Sequence, residues 1–292
     1  MTRRRPSQSA SADDLLRTLG RLTAQARRRV ELQHARVELA EALQRAMVPP
    51  FLPAVPGLRT AARYAPARDG LDIGGDWYDG FLLPDGTLAF CVGDVQGHDV
   101  EAAVIMGQVR IGLRAVAAAA GDPGQVLSRA NDLMLSVDST LFATCTFLRF
   151  DPATRVLESA RAGHVASVWA LADGSWGVDE DPGGLPLGIL PGERYPVIRR
   201  RLTDTGAFVV VTDGVVEGPS FPVEAGLERV ARLTAAAVRA AQDAHIGADP
   251  GELATRVLKV ADLTGHLDDA AVLVLCHDSV PNGPVGACGP CR

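Results

Sequence analysis

The sequence predicts an α+β fold, an antiparallel β-sandwich flanked by α-helices and preceded by a helical segment. Three observations lead there. Short apolar runs at strand spacing come in groups instead of alternating strictly with helices. Asp85-Gly86 and Asp173-Gly174 fall between such runs and mark tight hairpins, because an Asp-Gly pair tolerates positive φ. Stretches of small apolar residues at helical spacing separate the groups.

Taken in order, residues 1–12 are rich in Arg and Ser and carry too little apolar surface to fold. Residues 13–48 contain one glycine, Gly20, and no proline among Leu, Ala, Arg, Gln and Glu, all strong helix formers. Leu15, Leu19, Leu22 and Ala26 form one stripe there; Leu32, Ala35, Leu39, Ala42 and Ala46 form a second in another phase. Such stripes must bury against the rest of the chain or against a second copy, so a homodimer through this helix is one expectation. Pro49, Pro50, Pro53 and Pro56 end the helix, since proline neither donates to the helical ladder nor follows a helical residue comfortably. Strands are predicted at 58–64, 87–95, 142–150, 156–162, 165–171, 207–212 and 270–276, and helices at 100–120, 125–137, 223–240 and 251–263. Residues 49–277 then make one domain, and the Gly/Pro-rich stretch 278–292 is a tail.

Composition excludes several classes of function. A net charge of -6 leaves no basic face for nucleic acid. No stretch is long and apolar enough to span a bilayer, and polar residues follow the basic start where a secretory leader would be apolar. Five cysteines in 292 residues make no disulfide framework, which points to a reducing cytoplasm. Cys91, Cys145 and Cys276 sit in apolar runs as small hydrophobes. Cys288-Gly289-Pro290-Cys291 matches a redox motif in letters but lacks the strand–helix context that gives it function.

The chemistry lies in aspartates at the borders of apolar runs: Gly74-Gly75-Asp76-Trp77-Tyr78-Asp79, Gly93-Asp94-Val95-Gln96-Gly97-His98, Thr212-Asp213-Gly214 and Leu267-Asp268-Asp269. Singly, each reads as a turn or helix cap. Together they bring acids to the ends of buried strands, which is costly unless something neutralises them. Hard divalent cations such as Mg²⁺ or Mn²⁺ prefer carboxylates and carbonyls; zinc would call for a Cys/His cluster, which these motifs lack.

Those motifs, with Ala62-Arg63-Tyr64, Phe142-Ala143-Thr144, Ala162-Gly163-His164, Leu185-Pro186-Leu187-Gly188 and the continuation Val215-Val216-Glu217, resemble the PPM-type (type 2C) metal-dependent protein phosphatases. The match is closest to the bacterial branch named after the stage II sporulation phosphatase, and it runs collinearly over about residues 43 to 276. The resemblance implies a type 2C sandwich holding two Mn²⁺ or Mg²⁺ ions. It has Asp76 and Asp94 bridge or flank the metal pair as the catalytic acids, adds the Val95 carbonyl as a ligand, and completes the site with Asp213 and Asp268. Asp79 and Asp269 become auxiliary acids. The implied reaction is hydrolysis of phosphoserine or phosphothreonine on a small regulatory protein of the anti-anti-sigma type, in stress or developmental transcription control.

This chain departs from the branch in two places. Asp99 replaces the usual glycine after His98, which restricts the metal loop or adds charge to it. Ala270-Ala271 replaces the usual Thr or Ser after the last acid pair and removes a hydroxyl. These departures leave open a phosphatase-like regulator that binds a partner without turnover, while the ion chemistry alone also suits a phosphodiesterase or small-molecule phosphatase. Arg63 and Arg68 lie near the first motif with no role assigned. His98 orients its loop, serves as an acid or makes a structural hydrogen bond, whereas His164, in Ala-Gly-His before a strand, packs and bonds to backbone.

Overall fold

The computed structural model describes residues 16–31, 48–66, 74–97, 99–137, 139–179, 181–219, 221–265 and 268–279. The stripe at 32–46, Arg68, His98 and the Cys288–Cys291 pair lie outside the described residues. A helix, α1, covers residues 16–31. After it come β1 (Leu58–Ala65), β2 (Trp77–Leu82), β3 (Leu88–Val95), α2 (Val100–Ala117), α3 (Pro123–Leu135), β4 (Ala143–Asp151), β5 (Val156–Ala162), β6 (Val168–Leu171), β7 (Trp176–Val178), β8 (Ile198–Arg201), β9 (Gly206–Val211), α4 (Asp213–Val216), α5 (Val223–Asp243), α6 (Pro250–Leu258), α7 (Ala261–Thr264) and β10 (Ala270–His277).

The strands form two five-stranded sheets, ordered β1-β10-β9-β6-β7 and β2-β3-β4-β5-β8. Every ladder is antiparallel. Both predicted hairpins are present, with glycine alone taking the positive φ, +84° at Gly86 and +92° at Gly174. Period-two alternation divides each strand between two apolar layers. Phe90, Val92, Leu148, Phe208, Val210, Leu273 and Leu275 meet between the sheets. Cys91, Cys145 and Phe147 face α2 and α3; Val209, Val272 and Val274 face α5 and α6. The result is a helix–sheet–sheet–helix sandwich, as expected. Removing one of the larger side chains from water contributes about 2 kcal/mol.

Helices begin where aspartate can cap them. Asp122 accepts from Gln125 N ahead of Pro123, and Asp249 accepts from Gly251 N and Glu252 N ahead of Pro250. Both helices therefore start two residues or one residue earlier than expected. The stretch 251–263 is two helices, α6 and α7, and not one. Three strands and one helix went unforeseen: β2, β7, β8 and α4. Leu52 and Pro53 of the proline segment lie where a Cβ at Gly80 would be, 2.7 and 3.0 Å away, so the segment is docked on β2. No helix among the described residues is long and apolar enough to cross a membrane.

Candidate metal centre

At one end of the sandwich the inter-sheet stripes change from apolar to polar. On β3 the stripe Leu88, Phe90, Val92 ends in Asp94; on β10 the stripe Leu275, Leu273, Ala271 leads back to Asp269. Thr212 continues Phe208 and Val210 beyond β9, and Tyr64, next to last in β1, stands opposite Ala271 of β10. Alternation fixed by the core thus carries these side chains into the same space.

Asp76, Asp94 and Asp213 each offer a carboxylate oxygen there, all within 4.8 Å of one another. Asp76 is buried, and its Oδ2 has no hydrogen-bond partner. Burial, then the charge of Asp94, drives its carboxyl well above the usual range, against a smaller lowering by the Thr212 hydroxyl. Burial and then Asp213 push Asp94 up to about 8. Asp213 is raised by burial and by Asp268, with Gly214 N donating to its Oδ1 at 2.9 Å. Each like-charged pair at this spacing repels by about 3 kcal/mol at an effective dielectric near 20. A hydrogen bond returns only about 1 kcal/mol. Backbone donors therefore cannot neutralise the cluster, and a divalent cation can.

The surroundings fit such an ion. An added Cβ at Gly75 would lie 2.2 Å from the Val95 carbonyl oxygen and 2.9 Å from Asp94 Oδ1, so glycine is what lets this backbone approach the acids. All the donors are oxygens, the set preferred by Mg²⁺ and Mn²⁺. The Val95 carbonyl and the Asp94 carboxylate thus both border Gly75. Asp268 is exposed at the rim, outside the tight triad; its Oδ1 accepts from Asp269 N at 2.8 Å, and its charge acts on both Asp94 and Asp213.

Other sequence candidates separate from the centre. Asp79 points to the opposite face of its sheet, fully buried, where Arg114 Nε and Arg110 Nη1 reach it at 2.6 and 3.3 Å. It is a structural ion pair and no auxiliary acid. Asp269 is buried beside Gly74, and Tyr64 hydrogen-bonds to it. Asp99 spends its carboxylate on Ala102 N at 3.0 Å, capping α2. The loop-charging role considered for it gives way to a cap. Arg63 turns to α6, donating to Thr255 Oγ1 at 3.1 Å. Sequence reasoning passed over Tyr64 and Thr212 as site residues, although both sit within matched motifs. Thr212 supplies a hydroxyl beside Ala271, accepting from Ala271 N at 2.8 Å, so the alanine does not empty this region of hydroxyls.

A family model described as stage II sporulation protein E (SpoIIE) matches residues 84–278. The phosphoserine phosphatase RsbU of Bacillus subtilis (strain 168) is 24% identical over 182 residues, which are 62% of this chain and 53% of that protein. The chain thus spans about half the length of this curated relative. Among solved structures, the RsbU and RsbW domains of a Mycobacterium tuberculosis protein superpose with a TM-score of 0.69 at 31% identity, covering 80% of this chain and 64% of that one. The PP2C phosphatase domain of SpoIIE from Bacillus subtilis, with a fragment of its regulatory domain, gives 0.61 at 20% identity, covering 77% and 65%.

Proposed function

Because the chain belongs to the stage II sporulation protein E family of PP2C-type phosphatase domains, we propose that it hydrolyses phosphoserine or phosphothreonine on a partner protein, using two Mn²⁺ or Mg²⁺ ions. The observation that carries this is the convergence of Asp76, Asp94 and Asp213, to which no arginine, lysine or histidine among the described residues is paired. Asp76, Asp94 and Asp213 would hold the ions, with the Val95 carbonyl and the rim acid Asp268 completing the ligand set. When bound, the ions would supply the positive charge that balances the acids and stabilises phosphoryl oxygens during hydrolysis. The chain's own part is to hold four acids in register from two sheets and to keep Asp76 out of bulk water.

The substrate we propose is a small phosphorylated regulator of the anti-anti-sigma type, in keeping with similarity to a phosphoserine phosphatase and to a protein that joins RsbU and RsbW domains. Three free, buried cysteines suit a reducing cytoplasm. The helix α1 exposes Leu16, Leu19, Leu22 and Val30 by half or more of their surface, which supports pairing with a second copy.

Phosphate release from a phosphorylated anti-anti-sigma protein, run beside a small aryl phosphate, tests the assignment. We expect rapid Mn²⁺-dependent release from the protein, silence in EDTA and recovery on adding Mn²⁺. Release from the small ester alone would move the chain to the small-molecule phosphatases, and binding without release would make it a non-catalytic regulator.

A further inference from the structure

His164 stands outside the acid cluster, and the chemistry above makes no use of it. It is 3% exposed, in the turn after β5. Its Nδ1 lies 2.8 Å from Thr144 Oγ1. Thr144 is the residue directly opposite Asp94 in the β3–β4 ladder, so both side chains leave the same face of the sheet. The ring therefore abuts the strand that braces Asp94.

The other side of the ring belongs to the second sheet. Nε2 is buried with no hydrogen-bond partner. The β6–β9 ladder, with Val168 opposite Val209, carries the residues just before β6 towards Val211, whose backbone is the polar group that bears on the ring from that side. Val211 ends β9, and the next two residues are Thr212, whose hydroxyl reaches Asp76, and Asp213. Burial keeps the ring neutral, lowering its proton affinity to about pH 3. A neutral ring that accepts from Thr144 at Nδ1 carries its proton on Nε2, on the Val211 side.

The backbone of His164 is fixed as firmly. Arg161 Nη1 donates to its carbonyl at 2.7 Å while Arg161 Nε holds Asp181 at 2.7 Å. Gly163 takes a φ of +63°, and a Cβ there would strike Pro186 at 2.5 Å. The turn therefore delivers the imidazole to one place. A packing histidine needs no such aim; phenylalanine would fill the same volume.

We propose that His164 is a positioning residue: by joining Thr144 on one sheet to Val211 on the other, it sets the distance between Asp94 and the Asp76–Asp213 pair. The inference rests on the metal reading of those acids. Groups that orient ligands from behind typically change metal affinity by 10- to 100-fold when removed.

Mn²⁺ binding by calorimetry on the full chain, with metal-free thermal unfolding alongside, tests it. His164→Phe keeps volume and removes both nitrogens; Thr144→Val removes one hydroxyl and keeps shape. Each should weaken Mn²⁺ by about tenfold or more, and the double variant should lose little beyond the worse single one, because both break one link. Unfolding should stay cooperative. Wild-type Mn²⁺ affinity in Thr144→Val and in a folded His164→Phe, with only the melting temperature lowered, would reduce the histidine to packing and overturn the proposal. If His164→Phe does not fold, Thr144→Val decides alone. Asp94→Asn is the control: loss of Mn²⁺ binding there with normal binding in Thr144→Val refutes the positioning role only. Wild-type binding in Asp94→Asn overturns the metal reading and this inference together.

Discussion

Asp79 and Asp94 are both mostly or fully buried carboxylates on neighbouring strands, and their surroundings give them opposite tasks. Two arginines from α2 neutralise Asp79, whereas among the described residues the charges that act on Asp94 are those of other acids. Replacing Asp79 by Asn leaves Arg110, a largely buried cation, without its counter-charge, and should lower stability by about 3 kcal/mol. Mn²⁺ affinity should be unchanged, as denaturant unfolding and a metal titration of the same variant would show. Asp99→Ala should cost about 1 kcal/mol through the lost α2 cap and leave the titration unmoved; a shifted titration would restore its place in the metal loop. These assignments show where the sequence was legible. Asp76, Asp94 and Asp213 could be picked out because several acids at the ends of apolar runs recur in an ordered series of family motifs, although each alone reads as a turn or cap. Asp79 sits in the same motif as Asp76, and only the strand's alternation, with Arg110 and Arg114 far along the chain, reveals that it faces the other way.

Among the elements, the long apolar strands were readable because both their faces are covered, as in β10, where every residue is buried. The missed strands are short or edge elements. Four-residue β8 pairs only with β5 and reads Ile-Arg-Arg-Arg, a run whose charges blunt an exposed sheet edge. Strand β2 begins inside the Asp76 motif, and β7 has three residues. Helix α4 is a single turn at Asp213. The helix α1 raises a separate question, since its leucines are exposed where the structure describes them. If they pair two copies, Leu19→Glu with Leu22→Glu should convert a dimer to a monomer and change turnover. Light scattering that shows the same mass for both proteins, with equal rates, would make α1 a passive appendage. The docked proline segment is the route by which such a change would reach β2 and the Asp76 loop that precedes it.

For the whole molecule, the two sheets close over an apolar core and leave the acids at its open end, so the fold carries an electrostatic cost that an ion relieves. Without metal, folded Asp94 holds its proton up to about pH 8, while the unfolded carboxyl has lost it by pH 5. The folded state therefore binds the extra proton, and stability falls as pH rises through this window. Histidine 164 acts in the other direction, since its ring stays neutral when folded and takes a proton near pH 6.5 when unfolded, so its contribution is lost as pH falls. Between pH 6.5 and 8 the acids act alone of the two. Metal-free protein should lose on the order of 1–2 kcal/mol across that interval, Asp94→Asn should lose less, and saturating Mn²⁺ should abolish the slope. The central claim, that carboxylates gathered from both sheets hold the ions that hydrolyse a phosphoprotein, meets its most direct test in single-turnover phosphate release by Asp94→Asn at controlled Mn²⁺. A fold that melts as wild type with release slowed at least 100-fold is the predicted result; release at the wild-type rate from the same folded variant would contradict the account.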